Sequence, residues 1–529
     1  MAPLVISGIG RAEATAAEAC SVEAQVSEKA SLSPKPPKDE LEEVVDADSK
    51  ADEAEPSFTM KLLLCSVAAL EGADNMLMPA TTLALIESGG IEFTDLVYLG
   101  GLQAVCTNIA GPIWGMLADN GAVSRRNILM LGSLGQGLAT VALATTTALG
   151  PMIALRGLNG IMLSSLRPIS NGVVADCTCE AKRGKMFGLV QSTMTMGMLF
   201  TSVVATPVAR RDVLGIQGWR AAFVLVGSLS LIVCAMLACL YVDPKKPVLK
   251  REPRGLRSII DELKSLLGFF TIPTFTIMIL QGIFGTIPWG VLGSMTMFFQ
   301  MSGLSDTEAT VLATEGLVVG IFGNALGGFV ADALARRFGY HGRPLNAQFT
   351  VAVGMPLITA MFYWIRPGDG SFAVYFVLLL LWNLLGCWAQ SGTNFPILCE
   401  IVPEDKRCRI LAWECCLENT IASAITPFVV AEVSTYFGYH YSDDDKDDPV
   451  ARLESATALG KSMTLITIVP GIACFCVYSI LHCTYERDVK RVEKLNAMAR
   501  EAKAAAEAPP ALEAPAADGM SRKDSETEV

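Results

Sequence analysis

A helix that crosses a bilayer must satisfy its own backbone and needs roughly 20 mostly apolar residues to do so. This chain holds twelve runs of that kind, with approximate edges 58–86, 94–118, 126–148, 151–176, 185–208, 219–242, 268–299, 306–332, 345–365, 372–398, 409–437 and 460–483. Glycine and proline recur inside them, as at Gly111-Pro112, Ile287-Pro288 and Thr426-Pro427. Spanning helices tolerate such residues better than soluble ones. Composition agrees: 51% of the 529 residues are hydrophobic and only 18% are charged, where a soluble chain carries about a quarter. The mean hydropathy is +0.43. The expected fold class is all-α, a polytopic membrane protein with twelve transmembrane helices.

The two ends are different material. Residues 1–57 are rich in Ala, Glu, Asp and Ser, include "SPKPPKDELEE", and hold few large apolar residues. A disordered acidic tail is expected there. It has no basic start and apolar stretch of a secretory signal, so the first run is expected to serve as the membrane address. Residues 485–505 read as a charged helix leaving the membrane and 506–529 as a second disordered tail. The formal charge of −12 owes much to these tails and carries no nucleic-acid signal. Lys and Arg crowd the even-numbered loops, with Arg125, Arg126, Lys182, Arg183, the basic linker 243–267, Arg336, Arg337, Lys406 and Arg407. The odd-numbered loops have few, among them Arg210, Arg211, Arg366, Lys446 and Arg452. The positive-inside bias then puts the even loops and both termini in the cytoplasm, with residue 250 and Asp445 on opposite faces.

One junction occurs twice. "GMLADNGAVSRR" ends the second run and "GFVADALARRFG" ends the eighth. Gly115 and Gly328, Ala118 and Ala331, Asp119 and Asp332, and the helix-start acids Asp95 and Glu308 all lie 213 residues apart. A second matched pair, "DCTCEAKR" and "EIVPEDKR", relates Asp176 to Glu400, Glu180 to Glu404 and Arg183 to Arg407 at an offset of 224. Self-similarity at a fixed spacing marks internal duplication. The expected organisation is a tail 1–57, a six-helix half 58–242, the basic cytoplasmic linker 243–267, a second six-helix half 268–484 in the same orientation, and a helix with a disordered tail at 485–529.

Two parallel halves with a G-x-x-x-D junction and basic residues after runs two and eight resemble the major facilitator superfamily of secondary transporters. That family's loop motif, G-x-x-x-D-R-x-G-R-K, is matched at Gly115, Asp119, Gly328 and Asp332, with Arg336 and Arg337 at basic positions. The first copy departs from it, with Asn120 after the aspartate and Arg125 and Arg126 two positions late; the second has Ala333 and Ala335 in place of Arg and Gly. "RGLNG", Arg156 to Gly160, is similar to the family's R-x-x-x-G in run four. The resemblance covers about 58–485. It implies alternating access, with Asp119 clamping the cytoplasmic rim in one state and releasing it in the other. It also implies a central cavity lined by runs one, four, seven and ten.

Ionisable residues inside spans are costly and usually face a cavity or each other. Run one carries Glu71 and Asp74, three apart and expected on one helix face. Run four carries Arg156 and Arg167, eleven apart. With Gln281 and Trp289 of run seven and Asn383, Gln390 and Asn394 of run ten, these are the candidates for substrate and proton. Asp74, preceding Met78-Pro79, is the favoured proton site. Glu315, Glu414 and Glu418 are further carboxylates within runs.

Other patterns point away from chemistry. The fifteen cysteines form no C-x-x-C pair, and none of the three histidines is near "CTC" at Cys177–Cys179. No metal site and no cofactor are expected. "DDDKDDPVARLE" places Asp448 and Pro449 where a calcium loop needs a glycine turn. The end Thr527-Glu528-Val529 matches the short C-terminal pattern that PDZ domains bind. Nucleophile motifs and a phosphate loop are absent from the sequence, which argues against an ATP-driven pump and leaves no enzyme constellation. The expected function is secondary transport of a small organic solute by a monomer in the bilayer, with proton coupling. Two other readings stand beside it: a transporter-fold sensor or scaffold, and a spinster-like lipid transporter.

Overall fold

The computed structural model describes residues 57–119, 123–178, 180–213, 215–242, 264–368, 372–403 and 406–507. The acidic tail before Ser57, most of the basic linker, and the C-terminal tail with Val529 lie outside the described residues. Beyond them lie also Glu404 and the side chains of Asp119, Asp176, Glu180 and Arg183.

Apart from one two-residue antiparallel pair, Asp212–Val213 with Ile216–Gln217, the regular secondary structure of the described residues is helical. In order the helices are α1 (Phe58–Glu87), α2 (Phe93–Asp119), α3 (Arg125–Leu143), α4 (Leu149–Leu163), α5 (Leu166–Cys177), α6 (Glu180–Ala209), α7 (Gly218–Leu240), α8 (Pro273–Leu292), α9 (Met295–Met301), α10 (Asp306–Phe338), α11 (Gly342–Thr359), α12 (Phe372–Leu385), α13 (Phe395–Glu400), α14 (Arg407–Tyr436) and α15 (Pro449–Glu507).

Every apolar run coincides with helix, and eight helical stretches among the described residues are individually long and apolar enough to cross a membrane. The difference from twelve has local causes. Run 126–148 forms α3, of 19 residues, which falls short in apolarity because it carries Arg126, Asn127 and Gln136. Run 151–176 is parted into α4 and α5, of 15 and 12 residues. At the break the hydroxyls of Ser164 and Ser165 return to the carbonyls of Ile161 and Met162 at 2.7 and 2.8 Å, competing with the helical ladder. Runs 306–332 and 345–365 fall in one 59-residue stretch, Asp306–Trp364, which turns at Gly339, whose φ of +57° suits glycine. Run 372–398 is divided into α12, a π turn at Gln390–Asn394 and the six-residue α13. Conversely, run 460–483 and the charged segment 485–505 form one helix, α15, because no glycine or proline follows Gly471 within it.

Matched sequence features fall at matched helix starts. Asp95 sits in the first turn of α2. Glu308 completes a capping box on α10, accepting from the Ser305 N–H at 2.9 Å while its own N–H donates to Ser305 Oγ at 3.2 Å. Helices α1 and α6 meet backbone to backbone: a Cβ on Gly72 or Gly197 would lie 2.0 Å from the facing carbonyl of Met194 or Ala69. Small residues permit such approach in spanning bundles. Helix α2 packs on α4 and also on α14. At the end carrying Glu87 and Asp306, one apolar cluster joins Leu83, Leu85 and Phe93 to Phe298, Phe299 and Phe362. Phe322, Phe329 and Val469 instead remain exposed on helix surfaces, a pattern soluble monomers avoid over large areas.

Candidate substrate cavity

A cavity of about 1130 Å³ lies among α1, α2, α4, α5, α8 and α14, its lining running from Phe93 to Gly115 along α2. Helix α1 supplies Glu71, Asn75, Met78, Pro79 and Thr82 to it, spaced as one face of a 3.6-residue helix. Asp74 is not on that face. From Glu71, Asn75 is displaced about 40° around the axis and Asp74 about 60° the other way, so Asp74 turns into the bundle, where it is 1% exposed.

Four donors converge on Asp74. Oδ1 accepts from Gln136 Nε2 at 2.8 Å, Asn159 Nδ2 at 3.1 Å and Thr140 Oγ1 at 3.2 Å; Oδ2 accepts from Gln103 Nε2 at 2.9 Å. The carboxylate thereby ties α1 to α2, α3 and α4. Such a hub is structural in the first instance. Asp74→Ala removes the acceptor these donors share, leaving Gln103 only Asn159 Oδ1, Gln136 and Asn159 only Thr140 Oγ1, and Thr140 only the Gln136 carbonyl; it also removes the counter-charge of buried Arg156, and is expected to lower the thermal midpoint of the purified protein sharply. Asn75→Ala, on the exposed cavity face, should leave it unchanged. Equal midpoints for the two variants would show that the network holds nothing together.

The three other charged candidates do face the cavity. Arg167 Nη2 and Glu71 Oε1 pair at 2.7 Å, with the arginine half exposed. Arg167 owes its position to the α4–α5 break just before it. A smaller pocket of about 330 Å³ lies behind the pair and shares Glu71, Arg167 and Asn171 with the main cavity. Arg156 lines the main cavity and is 1% exposed. Its Nε and Nη1 have no hydrogen-bond partner, and Asp74 is its electrostatic counter-charge. A buried guanidinium with free donors is poised to grip an anion.

Gln281, Asn383 and Gln390 are not among the residues lining this cavity. Gln281 donates to the Met278 carbonyl at 2.9 Å. Asn383 faces Glu315 at 3.5 Å, and Gln390 accepts from Asn394 at 2.9 Å. Trp289 of α8 does line it.

The repeated junction is visible in its second copy. Arg343, at the start of α11, pairs with Asp332 and with Glu400, each at 3.3 Å, and Glu400 Oε2 also accepts from the Tyr485 hydroxyl. Two acids matched by separate sequence offsets thus meet on one arginine. Arg336 and Arg337 are exposed in the last turn of α10. In the first copy Gly115 lines the cavity, Arg126 donates to the Ala238 carbonyl, and the Arg125 guanidinium lies beside Gly172. Arg407 donates to the Cys399 carbonyl at 3.1 Å, and Gly328 meets nothing within 4 Å of a built Cβ.

The opposite end carries a network that sequence reasoning missed. Glu87, at the end of α1, accepts from Arg210 Nε at 2.6 Å, Arg452 Nη2 at 3.1 Å and Tyr441 at 2.9 Å. Arg210 also reaches Asp306 at 3.2 Å. Burial disfavours the charge on Arg210, but hydrogen bonding and attraction from Glu87 and then Asp306 outweigh it, holding its pKa above the ordinary value. The signal was an isolated acid ending an apolar helix and scattered arginines in basic-poor loops, with nothing in the sequence to pair them.

The sequence profile described as Major Facilitator Superfamily matches residues 63–432. The multi-drug resistance efflux pump PmrA of Streptococcus pneumoniae is 24% identical over 380 residues, covering 70% of this chain and 88% of that protein. Among solved structures, a bacterial homolog to the human lysosomal transporter Spinster, in an inward-facing and occupied conformation, superposes with TM-score 0.68 at 18% identity, covering 81% of this chain and 97% of the other. A D-xylose-proton symporter gives TM-score 0.55 at 18% identity, with coverage of 78% and 97%. At such identities the structural likeness shows the fold alone.

Proposed function

From the premise that this chain belongs to the Major Facilitator Superfamily, we propose that it is a secondary transporter moving a small organic anion by alternating access. The chain is an integral multi-pass membrane transporter and not an enzyme. The observation that carries the substrate class is Arg156, buried on the cavity wall with Nε and Nη1 unpartnered. A carboxylate or phosphate on the solute fills those donors bidentately. The same anion competes with Glu71 for Arg167, and the released carboxylate takes a proton, linking solute to proton movement. Glu71 serves this role better than Asp74, whose oxygens are already committed to four donors.

The form described has its Glu87 end closed and its cavity extending to Gly115. The excess of Lys and Arg in the even-numbered loops supports placing the Gly115 end and both termini in the cytoplasm, and on that placement the form is inward-facing.

Proteoliposome flux tests the reading. Saturable, counterflow-capable uptake of labelled organic anions, stimulated by an inward proton gradient, is expected from a panel that also includes neutral and cationic solutes. Binding without flux would favour a sensor, and flux restricted to neutral solutes would defeat the anion assignment.

A further inference from the structure

Helix α14 carries Glu414-Cys415-Cys416-Leu417-Glu418 in mid-span. Glu414 and Glu418, one turn apart, are 0% and 5% exposed. An oxygen from each carboxylate and Cys415 Sγ all lie within 4.8 Å of one another, and Cys415 Sγ is 3.4 Å from Glu414 Oε2. No lysine or arginine is paired with either glutamate among the described residues. One further observation indicates that the cluster is built to hold something: Glu414 Oε1 is fully buried without a hydrogen-bond partner. Gly282 of α8 admits the Glu418 carboxylate against its backbone, since a Cβ there would lie 2.0 Å from Glu418 Oε2. Neighbouring Cys416 turns away, its Sγ 3.6 Å from the Asn108 carbonyl of α2.

Two buried carboxyl groups with no basic partner require compensation, because burying an uncompensated charge is costly. Either they share a proton or they hold a cation. The neighbouring thiol favours the cation. A proton needs no sulfur, whereas two oxygens and one sulfur at this spacing form the mixed donor set of a borderline-soft dication. Magnesium and calcium take oxygen ligands and more of them. Cys415 also lines the large cavity, giving the entry path a metal site requires. We propose that Glu414, Cys415 and Glu418 bind a zinc-class divalent cation on the cavity wall, a cation site separate from the Arg156 anion site.

The test is titration of the purified full-length chain, prepared without a histidine tag, with cobalt and then zinc. Cobalt is expected to raise a thiolate charge-transfer band that zinc abolishes by competition. The band should vanish in Cys415→Ser and persist in Cys416→Ser. Glu414→Gln and Glu418→Gln, which keep side-chain shape, should each weaken zinc binding by at least the ~10–100-fold that loss of even an outer-shell partner costs. Should either glutamine variant fail to fold, the comparison of Cys415→Ser with Cys416→Ser still decides. A band that survives Cys415→Ser, or cobalt and zinc affinities equal in native and Glu→Gln chains, would overturn the assignment and leave a shared proton.

Discussion

Replacing Arg156 with lysine is expected to lower transport of an anionic solute by about 10- to 150-fold in kcat/KM. Hydrogen bonds to charged groups contribute about 1.5–3 kcal/mol, and 1.4 kcal/mol is a factor of ten. Lysine keeps the charge that offsets Asp74, so folding should persist. It loses the planar fork, whose Nε and Nη1 are the unpartnered donors of the cavity wall. Glu71→Gln separates binding from coupling. Without that carboxylate, Arg167 loses its 2.7 Å partner and is freer to bind anion. Uptake should therefore persist while its response to a proton gradient disappears. Wild-type affinity in Arg156→Lys, with an unchanged gradient response in Glu71→Gln, would make both residues structural.

The second large effect is expected at the closed end. Glu87→Gln leaves Arg210 and Arg452 without the carboxylate charge they share, Arg210 keeping only Asp306. Removing one partner of a fully buried ion pair costs about 3–5 kcal/mol. These arginines keep about a quarter of their side-chain surface exposed, 27% and 24%, so a smaller loss of about 1–3 kcal/mol applies, roughly 5- to 150-fold in the balance between states. On the alternating-access reading the network forms only while this end is closed, and its loss should then shift the population toward the form open there. A cysteine placed at Asn75, in a background stripped of exposed native thiols, should then react faster with an impermeant reagent added on the Glu87 side and more slowly from the other. Unchanged reactivity from both sides would mean that the apolar cluster around Phe298 and Phe299, not the ion pairs, holds that end shut.

Much of this molecule is written locally. Run length and polarity determine that helices form and that they lie in a membrane, since an apolar helix with no polar face has no other stable environment. The 213-residue offset locates helix starts, as the Ser305–Glu308 capping box and the first-turn Asp95 bear out. Short-range interruptions were less legible. Ser164-Ser165 breaks a helix through hydroxyl bonds to its own carbonyls, and that choice depends on what surrounds the break. Rotation about each helix axis was not legible at all. Glu71 and Asp74 are three residues apart and share a face on paper, yet one meets the cavity and the other a polar hub made by α2, α3 and α4. Partners such as Asp332 with Arg343 and Glu400, or Glu87 with Arg210 and Arg452, join residues up to hundreds of positions apart. A sequence states which charges must find company inside a low-dielectric bundle. Only the packing of the helices decides which company they find, because that is set by the angle at which each helix presents its side chains to its neighbours.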